Sequence, residues 1–267
     1  IVVTGMDVVT PIGLELDLFW KAVLAGTSGV RRITHFDPEG LPTQIAASLT
    51  DTPLIEDLRS ETGLDRLEPR SVVVGFRAAR GAIERAQATR AVQGERAGVY
   101  VGTAGERTDL RQLGAIAYAS RTPGGAVTPG GFVREFARWA GANRSYRTLP
   151  QYLGTRLAGA LGIAGPAVTI QTACTSSAQA IGEALRAIRR GTIDIALAGG
   201  AECIVSPIEI QLFCLLGVMS KRNDAPESAS RPFDARRDGF VMGEGAGFLV
   251  LEEAEHARAR GAEPLAE

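Results

Sequence analysis

Short apolar runs rich in β-branched residues alternate along this chain of 267 residues with longer segments of helical period. Glycine, proline or polar residues bound each run, a pattern typical of an α/β fold with helices on both faces of a sheet. We predict strands at residues 1–6, 98–102, 167–171, 193–198 and 248–251. Two apolar stripes at helical spacing are predicted to face the core: Leu16, Phe19, Trp20, Val23 and Leu24, and Val72, Phe76, Ala79 and Ile83.

The composition indicates a globular protein with a buried core, since 45% of the residues are hydrophobic and 22% are charged. A formal net charge of -1 gives no reason to expect a nucleic acid or a membrane surface as the main partner. The chain contains no apolar run of the roughly 18 to 20 residues that span a bilayer. It begins in a strand-like run without a leader, so we expect a cytoplasmic location.

The cysteines and histidines argue against a disulfide framework or a metal site. The three cysteines, Cys174, Cys203 and Cys214, are odd in number and form no C-x-x-C pair. The two histidines, His35 and His256, lie far from any cysteine in the sequence. We therefore expect free thiols and no metal.

The most informative passage spans residues 165–191 and centres on Cys174. An apolar strand runs into a turn of small residues, after which Ile181, Leu185 and Ile188 recur at helical spacing. Arginines and then a glycine follow, which are typical signals for the end of a helix. The cysteine is therefore predicted to lie at the start of a helix, directly after a strand.

That position favours nucleophilic chemistry at Cys174. The positive end of a helix dipole and its unpaired N–H groups favour a thiolate or a developing oxyanion over the neutral forms. Small neighbours leave room for a thioester, and the N–H of the cysteine itself is a candidate oxyanion-hole donor. Its position alone leaves open the alternative that Cys174 is only a small buried residue at a strand–helix junction. For Cys203 and Cys214, which lack this setting, we predict core packing.

Four ordered blocks resemble the β-ketoacyl synthase family, especially the β-ketoacyl-ACP synthase II group and type II polyketide ketosynthase subunits. Residues 172–177, Thr-Ala-Cys-Thr-Ser-Ser, are similar to the active-site signature of the family. The other three blocks are residues 2–13, 198–202 and 230–247. The resemblance implies that residues 1–267 form the nucleophile-bearing N-terminal portion of a thiolase-like αβαβα layered fold.

The family performs a decarboxylative Claisen condensation, and the resemblance implies the same reaction here. Cys174 would take an acyl group from the phosphopantetheine arm of an acyl carrier protein, and a malonyl thioester would then lose carbon dioxide and attack the acyl-cysteine. No redox or metal cofactor is implied, because the phosphopantetheine arrives on the carrier. The second half-reaction relies in the family on two histidines in motifs that this chain does not contain. A homodimer or a ketosynthase heterodimer is implied, with contact through the strand that leads into Cys174.

The resemblance also suggests roles for four residues outside the nucleophile turn. Phe213 matches a position that lines the acyl tunnel in synthase II enzymes, with a core phenylalanine as the alternative. Arg66 and Arg70 fall where the family presents basic residues to the acidic carrier. His35 is similar in setting to a surface residue of these enzymes.

Other expectations concern less regular segments. His256 lies on a charged helix, so we expect both histidines to be solvated surface residues.

Residues 102–150 are rich in glycine and threonine and are predicted to be irregular structure or a lid. Residues 222–231 are predicted to be a surface loop. The loop at 104–107 has fewer glycines than in many relatives, which leaves the acyl-chain preference open.

Two alternatives to a condensing enzyme remain. One is a non-catalytic or chain-length-setting subunit of a ketosynthase heterodimer, although such relatives often carry glutamine at the nucleophile position. The other is a thiolase-type enzyme that acts on coenzyme A esters. A dinucleotide-binding loop at residues 243–247 is rejected, because a strand rather than a helix is predicted to follow it.

Overall fold

A five-stranded mixed sheet forms the centre of the molecule. The structure, a computed structural model, describes residues 1–49, 52–105, 110–142 and 145–267. The strands in chain order are β1 (Val2–Val9), β2 (Arg31–Arg32), β3 (Ile45–Ala46), β4 (Ala97–Gly102), β5 (Ala167–Ile170), β6 (Ile195–Glu202) and β7 (Gly245–Glu252). The main sheet has the order β1-β7-β6-β4-β5, while β2 and β3 form a separate antiparallel pair. All five predicted strands are therefore confirmed, with ends shifted by up to four residues.

Helices occupy most of the connections between the strands. They are α1 (Leu16–Leu24), α2 (Thr52–Thr62), α3 (Arg70–Arg85), α4 (Leu110–Ala119), α5 (Pro129–Ala142), α6 (Gln151–Leu161), α7 (Ser176–Arg189), α8 (Pro207–Leu215) and α9 (Ala254–Ala259). Strands β4, β5 and β6 run parallel, and β7 is antiparallel to both of its neighbours, β6 and β1. The carboxyl ends of β4, β5 and β6 therefore meet at one edge of the sheet.

The two faces of the sheet are covered by different helices. On β4, Val99 and Val101 point to the face covered by α3 and α6, whereas Tyr100 points to the face covered by α7. This alternation is the period of two that a strand buried on both faces imposes. The chain thus forms one sheet with a helix layer on each side, and the second predicted stripe, from Val72 to Ile83, is buried in α3 as expected.

The first predicted stripe is not a core face. All nine residues of α1, each of them described, are half-buried or exposed. Trp20 is 56% exposed and Leu24 is 71% exposed. The apolar face of α1 stays exposed because this helix packs against β1, which is an edge strand of the sheet. The apolar spacing correctly predicts a helix but not what covers its apolar face.

Residues 102–150 were predicted to be irregular structure or a lid, and for the described residues of that range the prediction of irregular structure is also wrong. Helices α4 and α5 form a hairpin there, joined by a turn in which the Thr122 N–H donates to the Ala126 carbonyl at 2.9 Å. Pro129 begins α5, where its missing N–H costs nothing, and the Thr128 hydroxyl accepts from the Gly131 N–H at 3.1 Å. Pro129 therefore marks the start of a helix rather than part of a continuous loop.

Two other expectations are tested by the described residues. The segment 222–231 is a surface loop, as predicted, with one 3₁₀ turn at Pro226–Ser228. Within the described ranges, no helix is both long and apolar enough to cross a membrane. Residues 106 and 107 of the glycine-poor loop lie outside the described residues.

Candidate active site

Cys174 lies on a tight turn between a strand and a helix, as predicted. Strand β5 ends at Ile170, residues Ala173–Thr175 form a 3₁₀ turn, and α7 begins at Ser176. Ala173 has a φ of 54°, in the left-handed region that a residue with a Cβ rarely adopts. This backbone reversal presents Cys174 at the amino-terminal end of α7, where the side chain is exposed.

Hydrogen bonds within the turn hold its unusual conformation. The Ser176 hydroxyl accepts from the Thr172 N–H at 2.8 Å and donates to the Ala173 carbonyl at 2.7 Å. The Thr175 hydroxyl donates to the Thr172 carbonyl at 2.9 Å and accepts from the Gln179 amide at 3.0 Å. The small polar residues around the cysteine therefore build the turn as well as leaving space beside the sulfur.

The start of α7 packs directly on the carboxyl ends of β4 and β6. Gly102 and Gly200 are paired across these strands. A Cβ on Gly102 would overlap the backbone nitrogen of Ser177, and a Cβ on Gly200 would overlap the Ser177 hydroxyl. Two glycines therefore set how closely the helix that carries the cysteine approaches the sheet.

A cavity of about 590 Å³ opens beside Cys174. One side of it is the nucleophile turn, and another is the glycine-rich start of β7, which continues as a strand as predicted. Phe213 from α8 lines the same cavity, and its ring meets Phe240 edge-on at 5.6 Å between centroids. The side chains and backbone that line this space are Thr10, Gly102, Thr103, Ala104, Ala173, Cys174, Ser176, Ser177, Gly200, Ala201, Glu202, Ile204, Glu209, Phe213, Gly245, Ala246 and Gly247.

The electrostatics of α7 favour an anion at the cysteine end. The first turn of the helix carries no acidic residue, while Arg186 and Arg189 lie in its last turn. Cys174 thus lies near the partial positive charge of the helix dipole. The structure therefore brings together the three features expected for acyl transfer, namely an accessible thiol, a helix amino terminus and an adjoining cavity.

Two glutamates in the cavity wall were not given a role by the sequence. Glu202 ends β6, and its Oε2 accepts from the Ala104 N–H at 3.0 Å, which ties the chain after β4 to the end of β6. Glu209 is 7% exposed, and its N–H donates to the hydroxyl of Ser206, the residue that caps α8. The spacing Ser-x-x-Glu at 206–209 is a helix-start signal that would have located this glutamate at the beginning of α8.

The other two cysteines pack as predicted. Cys203 is 5% exposed and belongs to the main core, and Cys214 is half-buried against a smaller apolar cluster that includes Ile210 and Met219. All three cysteines are described, and Cys174 is the exposed one among them.

Arg66 and Arg70 differ in their surroundings. The Arg66 side chain is 90% exposed, with its Nε 3.8 Å from Glu56 Oε2, as expected for a surface contact residue. The Arg70 side chain is 25% exposed, and its Nη2 donates to Glu244 Oε1 at 2.5 Å. Arg70 is therefore held in an ion pair with a buried carboxylate, which departs from the expectation of a residue free to meet a partner.

Neither histidine is the solvated surface residue that the sequence predicted. His35 is half-buried, and its Nε2 donates to the Val205 carbonyl at 3.0 Å. Burial lowers the pKa of His35 and outweighs that hydrogen bond. His256 Nδ1 lies 2.6 Å from Oε1 of the buried Glu252. A backbone carbonyl holds His35 and a buried side-chain carboxylate holds His256, and neither histidine lines the cavity beside Cys174.

No cluster of three or more histidine, cysteine, aspartate or glutamate side chains that could hold a metal ion occurs among the described residues.

Comparisons with known proteins connect this geometry to a family. Residues 1–257 match the family model described as Beta-ketoacyl synthase, N-terminal domain. The 3-oxoacyl-[acyl-carrier-protein] synthase 2 of Vibrio harveyi is 35% identical over 270 residues, which is 100% of this chain and 61% of that protein. Proteins of Streptomyces species named as polyketide beta-ketoacyl synthases also match, at 33 to 39% identity. The chain thus spans about 60% of the length of the curated relatives it matches.

Solved structures give the same result. A beta-ketoacyl synthase from Burkholderia phymatum superposes with a TM-score of 0.78 at 33% identity, covering 98% of this chain and 61% of that one. The ishigamide ketosynthase/chain length factor gives a TM-score of 0.77 at 33% identity, with 98% and 60% covered. These matches confirm the predicted thiolase-like fold class, of which this chain supplies one sheet and two helix layers.

Proposed function

Because this chain belongs to the β-ketoacyl synthase family, we propose that it carries the acyl-accepting cysteine of a condensing enzyme of fatty acid or polyketide synthesis. The observation that carries the proposal is the position of Cys174, exposed at the amino terminus of α7 and open to a cavity of about 590 Å³. A reactive thiol must be accessible and must have space for the acyl group beside it, and both conditions are met here.

The first half-reaction is the transfer of an acyl group to Cys174. The thiolate attacks the carbonyl carbon of an acyl thioester, and a new carbon–sulfur bond to Cys174 forms. The tetrahedral oxyanion accepts a hydrogen bond from the N–H of Cys174, strengthened by the helix dipole. When the oxyanion collapses, the carrier thiolate leaves and takes up a proton, and the acyl group remains on the enzyme.

The second half-reaction forms the carbon–carbon bond. A malonyl thioester loses carbon dioxide, and the resulting carbanion attacks the acyl-cysteine carbonyl to give a β-ketoacyl thioester and a free Cys174 thiolate. Neither His35 nor His256 lines the cavity. Since the chain spans about 60% of the relatives' length, we assign the histidines of this step to the remaining part of the family's sequence. No redox or metal cofactor enters either step.

The acyl chain is proposed to occupy the cavity beside Cys174. Most of its wall is small or apolar, with Gly245, Ala246 and Gly247 on one side and Ile204 and Phe213 on another. An apolar wall favours a hydrocarbon chain through the hydrophobic effect. Phe213 packs edge-on against Phe240, and we propose that its ring limits the length of the acyl chain.

An acyl carrier protein is the proposed source of both thioesters. The name of the Vibrio harveyi relative includes such a carrier, and the exposed guanidinium of Arg66 is available to an acidic surface. We assign docking to Arg66, where a rim charge acts mainly on the rate of encounter.

Association with a second ketosynthase subunit is also proposed. Strand β5, which leads into Cys174, is an edge strand, and its four residues are half-buried or exposed. An uncovered edge next to a catalytic turn is suited to pairing with another chain. The partner is either a second copy or a chain length factor, as in the ishigamide complex.

Condensation by the complete protein tests this proposal. We expect wild type, given an acyl and a malonyl carrier thioester, to release carbon dioxide and form the 3-oxoacyl carrier two carbons longer, measured by mass spectrometry. Because Cys174 is the exposed cysteine among the three of this chain, Cys174→Ala is expected to lower the rate by at least about 10³-fold.

Other outcomes of the same assay separate the alternatives. Condensation at an unchanged rate in Cys174→Ala would contradict the nucleophile assignment. No product from wild type with any partner would favour a non-catalytic subunit. Product from coenzyme A esters alone would favour a thiolase-type enzyme.

A further inference from the structure

A fully buried carboxylate lies behind one wall of the cavity. The Glu244 side chain has no exposed surface. Its Oε1 accepts from the Val205 N–H at 2.9 Å and from Arg70 Nη2 at 2.5 Å, and its Oε2 accepts from the Leu49 N–H at 2.9 Å. One carboxylate therefore joins three segments that are distant in the sequence.

Two of the joined residues, Val205 and Glu244, are sequence neighbours of residues that line the cavity. Val205 directly follows the cavity residue Ile204 and precedes α8, which carries Phe213. Glu244 itself directly precedes the lining residues 245–247. The Glu244 N–H also donates to the Ala47 carbonyl at 2.9 Å, which fixes the backbone just before β7.

Arg70 supplies the compensating charge. A carboxylate removed from water is strongly disfavoured unless a cation and hydrogen bonds replace its hydration. The guanidinium of Arg70 provides the cation at the start of α3, and the same Nη2 lies 3.5 Å from the Cys203 carbonyl. The pair therefore links α3 to the segment between β6 and α8.

We propose that Arg70 and Glu244 are positioning residues that hold the wall formed by Ile204, Phe213 and residues 245–247 in the shape that receives the acyl chain. This inference rests on the proposed function. Neither residue lines the cavity itself, so the pair acts through the wall on the binding of the acyl chain rather than on the reactivity of the thiol. Arg70 then has a different role from Arg66.

Two reactions of Cys174 separate these effects. Under the proposed function, octanoyl-pantetheine places its chain in the cavity as it acylates the thiol, whereas iodoacetamide is small and reports on the thiol itself. Both rates are measured by intact mass on the complete protein for wild type, Glu244→Gln and Arg70→Met. Arg80→Met and Glu84→Gln are matched controls, because this exposed pair on the same helix makes the same kind of contact at 3.2 Å without touching the cavity.

We expect both test variants to lose about tenfold or more in acylation efficiency, mainly through a higher half-saturating concentration, since small displacements of a binding wall have large effects on rate. Iodoacetamide should react within about threefold of the wild-type rate, and the controls should match wild type with both reagents. Arg70→Lys, which keeps the charge, should recover part of the loss. Should Glu244→Gln fail to fold, the partly exposed Arg70 gives the decisive variant.

Three results would overturn the inference. Acylation equal to wild type in a folded Arg70→Met would show that the pair does not shape the cavity. An equal loss with both reagents would show an effect on the thiol or on the whole fold. A wild type that takes no acyl group would overturn the proposed function and this inference together, whereas the first two results leave the proposed function intact.

Discussion

Replacing Gly102 with alanine is expected to slow acylation of Cys174 by about 10²-fold and to lower the free energy of unfolding by about 1 to 3 kcal/mol. The new methyl group would overlap the backbone nitrogen of Ser177, in the first turn of α7. Backbone cannot rotate away as a side chain can, so the helix that carries the cysteine must shift. Acylation rates by intact mass and urea unfolding measure the two effects.

Gly159→Ala is the matched control for this substitution. Gly159 is exposed in α6, and nothing lies within 4 Å of the position that a Cβ would occupy. There the same change should leave acylation unaltered and stabilise the helix by about 0.5 to 1 kcal/mol. Wild-type acylation by Gly102→Ala would show that the close approach of α7 to β4 does not matter for the nucleophile.

Replacing Arg260 with methionine is expected to lower the free energy of unfolding by about 3 to 5 kcal/mol, because it leaves a buried charge without its cation. The Glu252 side chain has no exposed surface, and Arg260 donates to both of its oxygens at 2.7 Å. The same guanidinium donates to the Ala86 carbonyl at 2.9 Å. Urea unfolding at pH 7 measures the loss.

The pH dependence of this loss gives a second readout. Burial raises the pKa of Glu252, but hydrogen bonds from Arg260 and His256 outweigh it, and the folded-state pKa lies below the usual 4.5. The stabilisation is therefore complete above about pH 4.5 and is lost as the pH falls through the folded-state value. Wild type and Arg260→Met should converge in acid.

Arg138→Met is the control for Arg260→Met. The Arg138 side chain is 75% exposed and pairs with Glu135 on the surface of α5. Its replacement should change the free energy of unfolding by no more than about 0.5 kcal/mol. A loss in Arg260→Met as small as that in Arg138→Met would contradict the structural role of the Glu252 ion pair.

The strands of the sheet were predictable because each has a clear pattern in the sequence. Apolar β-branched runs bounded by glycine or proline have few alternatives, and all five predicted strands are present. Order and direction were not predictable from these runs, because pairing joins β1 to β7 across more than 230 residues. The apolar face of α1 shows the same limit, since spacing reveals a stripe but not the layer that covers it.

The sequence likewise predicted some features of the candidate site but not others. The strand–turn–helix passage located Cys174, and the family resemblance located Phe213, which lines the same cavity. The left-handed Ala173 carried no sequence signal, since alanine rarely adopts that conformation. Arg70 was misjudged because its partner Glu244 is 174 residues away, and only the folded chain brings the two together.

The intact mass of the complete protein after incubation with an acyl-pantetheine thioester tests the nucleophile assignment most directly. One added acyl group is expected on wild type, located by peptide mapping to the segment that contains Cys174, and none on Cys174→Ala. Cys214→Ser should be acylated like wild type, because Cys214 packs in an apolar cluster. Equal acylation of wild type and Cys174→Ala, or an acyl group found on Cys203 or Cys214 alone, would contradict the assignment of Cys174 as the nucleophile.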